Sequence, residues 1–131
     1  MTPSAFALPI VDLHSHVIAD DATRYPLAPM GGKQSDWSKE RPVNDTAMLA
    51  AMQQAGVAKS VLVQASTCYG HDNSYVQASV AAHPQVFAGV FSVDMMAADA
   101  IAKGWTVDHF VLLVWVPWSL LARVLASTGA A

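Results

Sequence analysis

Apolar and polar positions fall in blocks along the chain, and each block has the length and period of one element. Pro9-Ile-Val-Asp-Leu-His14 is short, apolar and followed by polar residues, which predicts a strand. Residues 17–44 hold Pro26, Pro29, Gly31-Gly32 and Pro42 among polar side chains, the composition of a loop. Loops of that length are uncommon in compact domains, and Tyr25, Leu27, Met30 and Trp37 give this one the apolar surface of a lid. Asn44 or Asp45 caps a helix in which Met48, Leu49, Met52 and Ala55 recur at helical spacing; Gly56 ends it where a left-handed residue is wanted. Val57 to Ala65 contains the β-branched run of a buried strand, and 66–72 is a loop. Asp72 or Asn73 caps a second helix through Tyr75, Val76, Ser79 and Val80, stopped by Pro84. Val86 to Val93 is a third strand, and 97–103 is a helical turn or two.

Strands separated by helices in this order predict an α/β fold with a parallel sheet and right-handed crossovers. The strands are apolar nearly throughout, as when both faces are covered. A period of two puts Asp12, His14 and His16 on one face of the first strand. By the same parity Leu62, Gln64 and Ser66 share a face of the second, and Ala88, Val90, Ser92 and Asp94 a face of the third. Each strand therefore turns polar at its C-terminal end on one consistent face, and that end is where α/β sheets bind ligands. Two neighbouring imidazoles are half of a metal site for zinc-class ions; the plainer reading is that they begin a polar loop. His71 reads as a third ligand, a substrate contact or a solvated loop residue. Cys68 reads as an inert thiol, Tyr69 and Tyr75 as packing residues, and His83 as a helix-end residue without a functional role.

Composition narrows the function classes. The 131 residues suffice for one domain, and 53% apolar with 13% charged excludes a disordered chain. So little charge leaves apolar surface to meet a partner. A net charge of −3 with seven Lys+Arg gives no basic patch for nucleic acid. The lone Cys68 makes neither an internal disulfide nor a Cys-x-x-Cys metal pair. The N-terminus lacks the positive segment of a secretory signal, so a cytoplasmic location is expected.

Four segments together resemble the amidohydrolase-related family, metal-dependent hydrolases of TIM-barrel fold. They are Ile10-Val-Asp-Leu-His-Ser-His16, Arg24-Tyr-Pro-Leu27, His71-Asp-Asn-Ser-Tyr75 and Phe87-Ala-Gly-Val-Phe-Ser-Val-Asp94. The likeness covers roughly residues 9–100 and implies the first three to four βα units of a parallel barrel. It implies that His14 and His16 bind a divalent metal, often zinc, which activates water against an amide or lactone of a small molecule. Gln64, Ser66, His71 and Asp94 would line the substrate pocket. The family's catalytic aspartate and later ligands come from the second half of the barrel, beyond this chain. A complete barrel takes about 250 residues, so 131 is about half of one. Two alternatives follow: an inactive fragment or binding module that assembles, as a homo-oligomer, through exposed barrel edges, and a decarboxylase of the same group.

The likeness stops near residue 100, which divides the chain into 1–100 and an apolar tail, 101–131. Three of the four tryptophans fall between Trp105 and Trp118, and Arg123 is the only charge after Asp108. The tail reads as a fourth strand, Phe110 to Val116, with a helix from Ser119, or as a frame-shifted end. A membrane segment is the weaker reading, because Pro117 and Arg123 interrupt it and a span needs about 20 apolar residues.

Overall fold

Four strands lie side by side in chain order, all parallel: β1 (Ile10–Ser15), β2 (Val57–Val63), β3 (Phe87–Val93) and β4 (Phe110–Val114). The computed structural model describes residues 9–94, residue 98 and the backbone of 110–114. The helical turns expected at 97–103, His109 and the helix expected from Ser119 lie outside the described residues. Within them, four helices accompany the strands: α1 (Asp36–Glu40), α2 (Asp45–Ala55), α3 (Ser66–Tyr69) and α4 (Ser74–Ala82). No helix among the described residues is long and apolar enough to cross a membrane.

The α2 borders follow the chemistry read from the sequence. Asn44 accepts the Ala47 N–H at 2.7 Å through its side chain, satisfying a donor the first turn cannot pair. Gly56 closes the helix at φ 69°, and its N–H reaches back to Gln53 and Met52 carbonyls. At α4 the structure selects between the two expected caps. Asp72 accepts the Ser74 N–H at 3.0 Å, while the Asn73 side chain makes no cap and turns to β3 instead.

One face of the sheet carries the core. Leu62, Phe87 and Phe91 pack there with Met52 of α2 and Val76 and Val80 of α4, all buried. The register pairs Ser60 with Phe87, Val61 with Ala88 and Val63 with Val90. The opposite face carries Lys59, Val61, Ala88 and Val90, exposed or half-buried, and toward its C-terminal end Val63 and Ser92, which are buried. Among the described residues that face is covered only at this end, not throughout as the apolar strands predict. A largely exposed second face, and a β1 that pairs on one side only among the described residues, are what the opening βα units of a barrel present.

That register also corrects the expected common face. Gln64 continues the ladder, its N–H on Val90 O at 2.9 Å, and belongs by parity with Leu62 on the helix-covered face. Ser92 and Asp94 belong with Val90 on the other. β1 departs too: Asp12 pairs with Ser60 and Ser15 with Leu62, three residues against two. This extra residue is a bulge, so Asp12 takes the face of Ser60 and Leu62 and leaves the parity of His16. Ser15 confirms the register, its hydroxyl hydrogen-bonded to the buried Ser60 hydroxyl.

Residues 17–44 are ordered into a 3-10 turn at Met30–Gly32 and the helix α1. Ile18 N–H bonds Val43 O at 2.8 Å, Ala28 N–H bonds Cys68 O at 2.9 Å, and Ala19 N–H bonds the Tyr69 hydroxyl at 2.8 Å. The segment folds back over the C-terminal ends of β1 and β2. Gly70 makes the closest approach: at φ 57°, a side chain there would put its Cβ 2.9 Å from Ala28 O.

Candidate functional site

The histidines of β1 come together at its C-terminal end. Their ring centroids are 5.0 Å apart in an edge-on arrangement, with His14 exposed and His16 half-buried. His16 Nδ1 lies 2.8 Å from the Val63 carbonyl oxygen. A carbonyl only accepts, so Nδ1 carries a proton, and in the neutral ring Nε2 is the nitrogen that keeps its lone pair. Fixing one ring nitrogen on a backbone carbonyl is how proteins present the other to a metal. The lid reaches one of the two: Trp37 of α1 lies against His16, ring centroids 5.5 Å apart and planes tilted by 32°.

Asp12 stays beside the pair without joining it. Its carboxylate accepts the His14 backbone N–H at 3.0 Å, which braces the bulge. No group of three or more His, Cys, Asp or Glu side chains placed to hold a metal occurs among the described residues. The histidines thus offer two imidazole ligands.

A second cluster forms at the ends of β2 and β3. His71 Nδ1 and the Ser92 hydroxyl are 2.8 Å apart. Asn73 grips the Ser92 backbone from both sides: its amide nitrogen donates to Ser92 O at 2.9 Å and its oxygen accepts Ser92 N–H at 3.0 Å. The same nitrogen donates to His71 O at 3.0 Å. His71, Asp72 and Asn73 also wall a cleft of about 560 Å³ that runs past Tyr69 and Phe91 toward Ala28 of the lid. His14 and His16 do not line it.

The remaining candidates have distinct settings. Gln64 is buried and donates to the carbonyls of Gly70 and Asp72, so its amide braces the loop that presents His71. Its Oε1 is buried without a hydrogen-bond partner among the described residues. Ser66 starts α3, half-buried, and Asp94 is exposed just past β3. Cys68 is a fully buried free thiol. Tyr75 stacks on Tyr25 of the lid at 4.8 Å, and its hydroxyl accepts the Asp45 N–H at 3.2 Å. Burial pushes its phenol up to about 12 from 10.0, and burial likewise raises Tyr69. Both are packing residues, as the sequence suggests. His83 sits past the end of α4, 4.0 Å from the Asp45 carboxylate.

Sequence reasoning found His14, His16 and His71 but not what holds them. Trp37 was recognisable as a lid residue, while its target was not. The double grip of Asn73 was hidden behind its reading as a helix cap.

The fold defined here is a parallel α/β sheet of the partial-barrel class. It is similar to a solved structure of a probable 2-pyrone-4,6-dicarboxylic acid hydrolase from Acinetobacter baumannii with citric acid bound. The TM-score is 0.53 at 15% identity, over 80% of this chain and 37% of that one. The chain therefore spans little more than a third of that neighbour's length. No protein-family model matches the sequence, and no curated protein does.

Proposed function

We propose that the chain forms the metal-binding opening of a hydrolase barrel, acting on an ester-like or amide carbonyl of a small molecule. The carrying observation is the His14–His16 pair, with the His16 Nε2 lone pair freed by the Val63 carbonyl. The donor set fits half of a zinc-class site: two imidazoles side by side at one strand end would supply two of the three protein ligands that such an ion usually takes. When bound, such an ion supplies a water of lowered pKa and polarises a carbonyl. His14 and His16 would hold it. His71, braced by Ser92 and Asn73, would orient substrate from the neighbouring loop, with Ser66 and Asp94 at its margins. Gln64 would act from behind, through the loop it braces. The fold neighbour, a probable hydrolase by its description, supports this class of reaction.

Isothermal titration with zinc alone tests the reading. The parent protein takes up one equivalent, and the double substitution His14→Ala/His16→Ala abolishes the uptake. Equal uptake by both would refute the assignment. The same titration with iron(II) or manganese(II) ranks the metals, and release of carbon dioxide rather than acid would move the reaction to decarboxylation.

A second reading, assembly through the edge of β1 that is unpaired among the described residues, draws on Leu13, 71% exposed, and on Ile10 at 57%. An edge strand with exposed apolar side chains invites another strand. Light scattering that shows a dimer, lost on Leu13→Lys, supports it; a monomer at all concentrations removes it.

A further inference from the structure

We propose that Trp37 is a positioning residue that clamps His16 in its metal-presenting orientation, so that the lid and the ligand form one unit. The inference rests on the reading of His16 as a ligand and goes beyond it by assigning the lid a task. His16 is held on two sides. Its Nδ1 bonds the Val63 carbonyl at 2.8 Å, and its ring centroid lies 5.5 Å from that of the Trp37 indole, the two planes tilted by 32°. One hydrogen bond still lets an imidazole rock about its own axis; an indole packed against the ring restricts that freedom.

The placement of Trp37 is itself fixed. Ser35 shares a hydrogen bond with Thr67 of α3 at 2.9 Å, joining the lid helix to the segment that follows β2. Ser38 is buried, and its hydroxyl donates to Ser35 O at 2.8 Å. The two serines lie on either side of Trp37, so the segment that follows the strand supplying Val63 anchors the helix supplying the indole. Ordinary packing accounts poorly for this residue. Trp37 remains 39% exposed, and a tryptophan serving only the core would bury more of itself. What it does cover is the imidazole.

Histidine NMR of the metal-free protein reads the clamp without any activity. At about pH 8, above the ordinary imidazole pKa of about 6.5, long-range nitrogen–proton correlations separate the two tautomers. In the parent protein His16 shows the Nδ1–H form alone. Trp37→Ala gives averaged nitrogen shifts, the mark of a ring exchanging tautomers, and Trp37→Phe restores the single form. Zinc titrated into the same samples binds about tenfold more weakly to Trp37→Ala, in the range typical for loss of a supporting contact to a ligand. An unchanged His16 signature in Trp37→Ala overturns the clamp whatever the titration shows. Absence of zinc uptake by the parent, with the tautomer shift present, overturns the metal reading and leaves the clamp standing.

Discussion

Single residues decide how the lid and the site loop are held. Gly70 turns through φ 57° and ψ −123° directly under Ala28 O. Gly70→Ala therefore meets both backbone strain and a close contact, and urea unfolding should show a loss of about 2 kcal/mol. Asn73 carries three hydrogen bonds that tie the His71 loop to β3. Asn73→Ala should cost about 2 kcal/mol by the same measurement and loosen His71, and Asn73→Asp, which keeps an acceptor for Ser92 N–H but sets a carboxylate oxygen against the carbonyls of Ser92 and His71, costs at least as much. Tyr75 gives a pH signature. Its hydroxyl ionises at about 12 in the folded chain against 10.0 in the unfolded one, because burial disfavours the phenolate. The native state thus holds more protons above pH 10, and stability falls as pH rises from 10 toward 12. Tyr75→Phe should flatten part of that decline, with Tyr69 retaining the rest. These roles were partly legible. Tyr75 read as packing because an aromatic at helical spacing faces a core, but nothing local marks Asn73 as a cross-link to a strand 19 residues on.

Elements were the most legible scale, for physical reasons that differ between them. The α2 helix announced both ends, since Asn44 and Gly56 are the residue types that a helix start and a left-handed stop select. Asn44→Ala should lower stability by about 1 kcal/mol, read from a thermal or urea transition. β2 and β3 were legible within two residues at either end, from their β-branched runs. β1 was found but its facing was not: a bulge depends on pairing with β2, so a strict period of two misplaces Asp12. The common polar face failed for a related reason. Parity is reliable within one strand, but only the register between strands says which parity of β2 meets which parity of β3. The four-residue α3 was read as loop because one turn is too short to carry a periodic signal. A parallel pairing of Phe110–Val114 with β3 agrees with the fourth strand among the readings of the tail.

At the scale of the whole molecule, alternation of strand and helix was enough to specify a parallel α/β sheet, and the neighbouring hydrolase structure shares that fold. The candidate site was half legible. Local spacing brought His14 and His16 together, because neighbours on one strand end need no tertiary information. The contacts that orient them, Val63 from β2 and Trp37 from the lid, are 47 and 21 residues away along the chain and arise only from folding. The low charge also acquires a place: the exposed apolar residues Ile10, Val11 and Leu13 lie together on β1, at the open edge of the sheet. The proposed metal site at this strand end can be read by X-ray absorption at the zinc edge, recorded on the zinc-loaded parent chain and on His14→Ala/His16→Ala. Two imidazole nitrogens at about 2.0–2.1 Å from zinc are expected in the parent and none in the variant. A zinc shell without imidazole scattering in the parent, or the same shell in both proteins, would contradict it.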